Sequence, residues 1–290
     1  MAKKQSLLRL TSIAYDTPHL ITTYSLDKLL TYLEARNTGL MLPMQMDDGE
    51  GEDEIDDMDD MEDGVAYIKV DGAITYQPVV GACGEVKGCS YKGLLECVDD
   101  AAEAGMKIIV MDFSTPGGQA SHAFEYAEEI RKICDDNEIE LIAYVDECAC
   151  SAGYLLACIC DEVSANPDSI TGSIGAVVAL TDVSKAMEQA GVKRIYITSG
   201  DSKVPYAEDG SFKSEFINKI QEDVDALNTR FAAHVEKYTG ISASDIKDLN
   251  AETFNADEAL SKGLVNKIMT NSEFVAYVAA KYNSNKLGAM

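Results

Sequence analysis

Three loops in this sequence carry residues whose types and spacing suit acyl-transfer chemistry. Ser114-Thr115-Pro116-Gly117-Gly118 sets two consecutive glycines ahead of an apolar-periodic segment. With no side chains to cover them, their main-chain N–H groups could stabilise an oxyanion, although a Pro-Gly-Gly turn can equally be only a turn. Cys148-Ala149-Cys150-Ser151-Ala152-Gly153-Tyr154 sets a serine between an apolar run and small residues. At a strand-to-helix junction such a serine either presents its hydroxyl to a cleft, with the Ala152 N–H beside it, or simply caps the helix. Cys150 is a rival nucleophile, but a thiolate needs a histidine or positive surroundings. The third loop, Thr198-Ser199-Gly200-Asp201-Ser202-Lys203-Val204-Pro205-Tyr206, holds Lys203 among small and apolar neighbours. A lysine kept neutral by burial can act as a base, whereas an exposed loop lysine stays charged.

A serine nucleophile needs a base, and the chain has 3 histidines. His19 lies far from the glycine loops in sequence, and His234 falls on the apolar stripe of a long helix, where packing is its plainer role. His122 opens the helix after Gly117-Gly118 and could approach Ser151, but a triad would also require an orienting carboxylate. The alternatives are therefore His122 and Lys203.

The elements that would position these loops are legible from periodicity. Val65–Val70, Lys107–Phe113 and Leu141–Val145 are short, apolar and β-branched, as core strands are. Arg194–Ile197 is a further expected strand. Ser90–Gly105, Ala120–Asp135 and Tyr154–Cys160 read as helices between or after them, the second with Ala123, Ala127, Ile130 and Cys134 on one face. A long helix is expected over Lys213–Tyr238, with Phe216, Ile220, Val224, Leu227, Phe231, Val235 and Tyr238 in one stripe. Strands alternating with helices indicate an α/β domain, whose sites lie beyond the C-terminal ends of the strands. The expected divisions are an arm over 1–45 with a helix at Ser25–Arg36, an acidic disordered linker over 46–63, the main domain over 64–270, and a C-terminal helix and tail over 271–290. The stretch Asp47–Asp63 alone holds 12 acidic residues and no Lys or Arg, the pattern of a solvated, self-repelling segment.

Across 290 residues, 24 Lys and Arg face 50 Asp and Glu, a net charge of −26. That balance argues against nucleic acid or an anionic membrane as the main partner. No run approaches the about 20 apolar residues of a membrane span, nor is there a secretory signal, so a cytoplasmic location is expected. The 8 cysteines are read as reduced thiols. The spacers in Cys148-x-Cys150 and Cys158-x-Cys160 are short for zinc, so neither metal nor other cofactor is expected.

Taken in order, these segments resemble the signal-peptide-peptidase-A family of Ser-Lys peptidases, and within it the phage prohead (capsid maturation) branch. The resemblance rests on Gly64-Val65-Ala66-Tyr67-Ile68-Lys69-Val70-Asp71-Gly72, Asp112-Phe113-Ser114-Thr115-Pro116-Gly117-Gly118, Ser151-Ala152-Gly153-Tyr154, Thr171-Gly172-Ser173-Ile174-Gly175, Ser199-Gly200-Asp201-Ser202-Lys203, and Tyr238-Thr239-Gly240-Ile241 followed by Ala259-Leu260-Ser261-Lys262-Gly263-Leu264-Val265. It implies a ClpP/crotonase-like spiral of ββα units, preceded here by the short helical arm and acidic linker. It implies Ser151 as nucleophile, Lys203 as general base, and an oxyanion hole from Gly117, Gly118 and Ala152. Thr171, Gly172 and Ser173 would border the site, with Ser173 orienting Lys203. It further implies a homo-oligomer in which serine and lysine come from one subunit or two, acting on capsid and scaffold proteins inside an assembling prohead. The alternatives are a host peptidase degrading proteins or signal peptides, a crotonase-type acyl-CoA enzyme, and a non-catalytic shell protein.

Overall fold

Runs of aliphatic residues with two apolar faces need cover on both sides, and parallel strands flanked by helices supply it. The computed structural model describes residues 17–38, 58–62, 64–80 and 86–288. Its strands are β1 (His19–Ile21), β2 (Met58–Glu62), β3 (Val65–Asp71), β4 (Val79–Val80), β5 (Val86–Lys87), β6 (Ile108–Thr115), β7 (Gly117–Gln119), β8 (Glu140–Cys150), β9 (Glu162–Ala165), β10 (Ile170–Gly172), β11 (Thr253–Asn255) and β12 (Lys267–Ile268). Its helices are α1 (Thr23–Thr38), α2 (Tyr91–Glu103), α3 (Ala123–Asp136), α4 (Ala152–Ala157), α5 (Ser184–Gln189), α6 (Ser214–Thr239), α7 (Ala243–Asp248), α8 (Ala256–Ser261) and α9 (Asn271–Gly288).

The main sheet runs β11-β10-β8-β6-β3-β2, and its centre is parallel: Val65 faces Ile108, and Ile108 faces Glu140. Strand β8 pairs with β9 over its first half and with β10 over its last residues, where Gly172 lies opposite Cys150. One face, carrying Ile68, Met111 and Ala143, packs with Leu94 and Val98 of α2, Ala127 and Ile130 of α3 and the whole of α4. On the other face Val65, Ile108, Val110, Ile142 and Tyr144 meet Phe274 and Val278 of α9, with Tyr144 and Phe274 stacked at 4.3 Å. The expected α/β class, with a mostly parallel sheet, is what is observed, and β6, β7 and α3 form one strand–strand–helix unit. No helix among the described residues is long and apolar enough to cross a membrane.

Three expectations change. Met58–Glu62, assigned to the disordered linker, pairs antiparallel with β3 as the outermost strand. Edge pairing uses backbone groups, so an acidic composition does not prevent it and discourages further strands from adding. The rest of the expected linker lies outside the described residues. Arg194–Ile197 is not a strand: it runs as irregular chain with Ile195 79% and Ile197 97% exposed. Among the described residues of one copy, no sheet edge receives it. Finally, α9 is part of the core, because the second sheet face would otherwise lie bare.

Candidate active site

Ser151 sits between β8 and α4 with φ at +53°, a left-handed value that a non-glycine residue adopts only where its surroundings enforce it. They do so here: the Ser151 N–H donates to the Gly172 carbonyl at 2.8 Å, and its own carbonyl accepts from Leu155 N–H at 2.9 Å. The hydroxyl makes no capping bond to α4. It donates instead to the Gly175 carbonyl at 3.3 Å, so the plain helix-cap reading of this serine falls away. Ser151 is fully buried.

The glycine turn lies alongside. Strand β7 is flanked on one side by Ile74, whose N–H donates to Gly117 O at 3.0 Å and whose carbonyl accepts from Gln119 N–H at 2.9 Å. Peptide groups alternate direction along a strand, so the Gly118 N–H and C=O point to the opposite edge. Thr115 fixes the turn: its hydroxyl donates to Gly72 O at 2.5 Å and accepts from Gly117 N–H at 3.1 Å. The Gly117 donor is thus spent within the turn itself, whereas the Gly118 N–H is directed to the edge along which β1 lies; of the three expected oxyanion donors, Gly118 and Ala152 are the two that the turn does not use. A Cβ on Gly117 (φ +103°) would come within 2.9 Å of Cys150 O and 3.0 Å of Ala152 N, which puts the turn and the Ser151 junction in one corner. Gly118 is equally constrained, since a Cβ there would meet Ile74 O at 2.0 Å.

Thr171, Gly172 and Ser173 border this corner. Thr171 is buried and its hydroxyl has no hydrogen-bond partner among the described residues. Gly172 takes φ +125° and would strike Glu252 O at 2.6 Å with any Cβ, while Ser173, at φ +52°, donates its N–H to Glu252 O at 2.7 Å.

Lys203 is not brought to Ser151. It ends a short 3-10 turn, Asp201–Lys203, exposed to solvent, whereas a neutral buried base was expected. The segment around it leaves Val183, Val192, Ile195, Tyr196 and Ile197 exposed in one copy of the chain. His122 gives no alternative, because its ring stacks on Tyr76 at 4.1 Å and its Nδ1 contacts Glu125 at 2.8 Å on the surface. His234 is packed as its helix position suggested, with Nε2 bonded to Leu155 O at 3.1 Å, and burial lowers its pKa. Burial pushes the Cys150 thiol up to about 12, which removes it as a rival nucleophile at neutral pH. Sequence reasoning missed Thr115 and the Gly175 carbonyl. The Ser-Thr-Pro-Gly-Gly spacing was the available signal for Thr115, while a carbonyl acceptor leaves none.

The family described as "Peptidase family S49" matches residues 134–285. The chain is 29% identical over 227 residues to the "Head-tail preconnector protein GP5" of Enterobacteria phage P21, covering 78% of this chain and 44% of that protein. It is 28% identical over 229 residues to the "Capsid assembly protease C" of Escherichia phage lambda, covering 77% and 50%. The chain thus spans about half the length of these curated relatives. Among solved structures, a ClpP1 mutant from Listeria monocytogenes aligns with a TM-score of 0.45 at 12% identity, over 71% of this chain and 92% of that one.

Proposed function

Because the chain belongs to peptidase family S49, we propose that it is a serine endopeptidase with Ser151 as nucleophile, Lys203 as general base, and the Gly118 and Ala152 N–H groups as oxyanion hole. The observation that carries this reading is the strained, uncapped Ser151 held in one corner with the glycine turn. In the reaction, Ser151 Oγ attacks the substrate carbonyl carbon while its proton passes to a neutral Lys203 amine. The tetrahedral oxyanion is held by the two N–H groups, and its collapse expels the peptide amine with the proton from Lys203. Water repeats the sequence on the acyl-enzyme and releases the acid.

Lys203 acts from a neighbouring copy of the chain. Its exposure and that of Val183, Val192, Ile195, Tyr196 and Ile197 support this, since packing that apolar segment on another subunit would desolvate the lysine and lower its pKa. The substrates are capsid and scaffold proteins of an assembling phage head, a reading supported by what the two phage relatives are called. Intact mass spectrometry after co-expression with a candidate capsid or scaffold protein tests it: the wild type cleaves, and Ser151→Ala and Lys203→Ala do not. Cleavage by both variants would sink the assignment.

A further inference from the structure

Strand β1 lies against the edge of β7 that carries the Gly118 donor. The two run antiparallel, with Leu20 opposite Gly118 and His19 opposite Gln119, and Thr22 N–H donates to Pro116 O at 3.0 Å. Since Gly118 directs both its N–H and its C=O to this edge, they meet the C=O and N–H of Leu20. On its other side β1 is bonded to Val177, His19 donating to Val177 O at 2.9 Å and accepting from Val177 N–H at 3.0 Å. An extended segment is therefore clamped between two backbones.

The Leu20 carbonyl oxygen is placed in the catalytic corner itself. It lies 2.1 Å, and Ala152 N 3.0 Å, from the single point a Cβ on Gly117 would occupy. The Leu20 side chain is fully buried in the main core, and Ser151 is fully buried too. The end of β1 and the helix that follows it pack apart from the main core. Ile21 joins Leu26, Leu30 and Leu33 of α1 in a separate small cluster that meets the rest of the chain through Val177 and Ala179.

We infer that residues His19–Ile21 occupy the substrate lane in cis, with the Leu20 carbonyl where a scissile carbonyl would sit, so that the free site takes an extended peptide carrying a large aliphatic residue at that position. The inference rests on the proposed function for the meaning of the corner, but the occupancy can be tested without any chemistry. The probe is a fluorescein-labelled peptide of sequence Thr17-Pro18-His19-Leu20-Ile21-Thr22-Thr23, with binding read by fluorescence anisotropy.

In a full-length Ser151→Ala background, β1 should keep the peptide out. Adding Leu20→Pro, which removes the N–H that faces Gly118 O, should tighten peptide binding by about tenfold or more, because a competing occupant lowers apparent affinity by the fraction of sites it leaves free. Equal affinity in the two proteins overturns the inference. Should Leu20→Pro lose its fold by circular dichroism, a site-specific protease sequence inserted between Thr38 and Met58 of the Ser151→Ala chain replaces it. After cutting, excess peptide should displace the fragment that carries β1, and a fragment that stays bound would equally overturn the inference. Because Ser151 is absent throughout, a wrong nucleophile assignment leaves these results intact and shows only in the cleavage assay.

Discussion

The proposed chemistry rests on single groups whose neighbours decide what they are free to do. Thr115 is the clearest case, since one hydroxyl bridges Gly72 O and Gly117 N–H and so decides which glycine donor is left over. Thr115→Val keeps the shape but leaves both groups unpaired. It should lower stability by about 1–3 kcal/mol, read by urea denaturation, and should reduce kcat more than KM because the loosened turn carries the Gly118 donor. His234 links the α6 stripe to α4 through Leu155 O while Phe124 and Tyr238 enclose its ring. Burial lowers its pKa and outweighs the pull of Glu128; Lys237 and Arg230 act in the same direction as burial. The unfolded chain therefore takes up a proton on this imidazole as pH falls below about 6.5, while the folded chain resists it. Its contribution is complete above that pH and declines below it. His234→Gln can still donate to Leu155 O, so the variant's thermal midpoint should fall less than that of wild type between about pH 7 and pH 5.5. Parallel curves would show that His234 does not titrate in this window.

At the scale of elements, the core strands and their crossover helices were legible because burial on both faces leaves a compositional trace: β3, β6, α2 and α3 fall within a few residues of the expected spans, while β8 starts where expected and runs on to Cys150, through what was expected as loop. Two short strands left no such trace. Neither β1 nor β2 has a pattern of its own, because each is defined by the open backbone edge it meets, β7 for one and β3 for the other. Ser151 and the glycine turn were picked out because the chemistry proposed for them needs particular residue types in adjacent loops, and the structure sets the two side by side. The Gly175 acceptor is main chain, which any residue supplies. The role of α9 also came from the sheet's need and not from its own sequence. Phe274 stacks on Tyr144 over a face with no other helix among the contacts of that cluster. Phe274→Ala should cost about 3–5 kcal/mol by chemical denaturation, with little change in the kinetic constants of the protein that remains folded.

For the whole molecule the decisive property is that one copy leaves its proposed base in solvent and an apolar segment uncovered. Lys203 was picked out as a candidate from its small and apolar neighbours, yet in a single copy of the chain it stands in solvent. Mixing inactive Ser151→Ala with inactive Lys203→Ala should restore cleavage, to about a quarter of the wild-type sites in a random equal mixture, because each intact site then pairs the serine of one copy with the lysine of another. No recovery on mixing would place both groups in one subunit. With a net charge of −26 per copy, association brings like charges together. Raising salt from about 50 mM to 500 mM should shift sedimentation toward larger species, since a shorter Debye length screens that repulsion. Dissociation on adding salt would instead mean that ion pairs hold the copies together.

The support of the Ser151 turn also sets when in the chain's synthesis the proposed site can exist. Ser151 is held at its strained angle by Gly172 O, and the next residue, Ser173, is anchored by Glu252 O while β10 pairs with β11 at Thr253–Asn255. Glu252 and β11 leave the ribosome about a hundred residues after the serine. Until Glu252 and β11 have emerged, a nascent chain carries the serine without the complete frame around it. On the proposed function, a chain made beside its substrates therefore cannot cut them before β11 has been synthesised and has paired with β10.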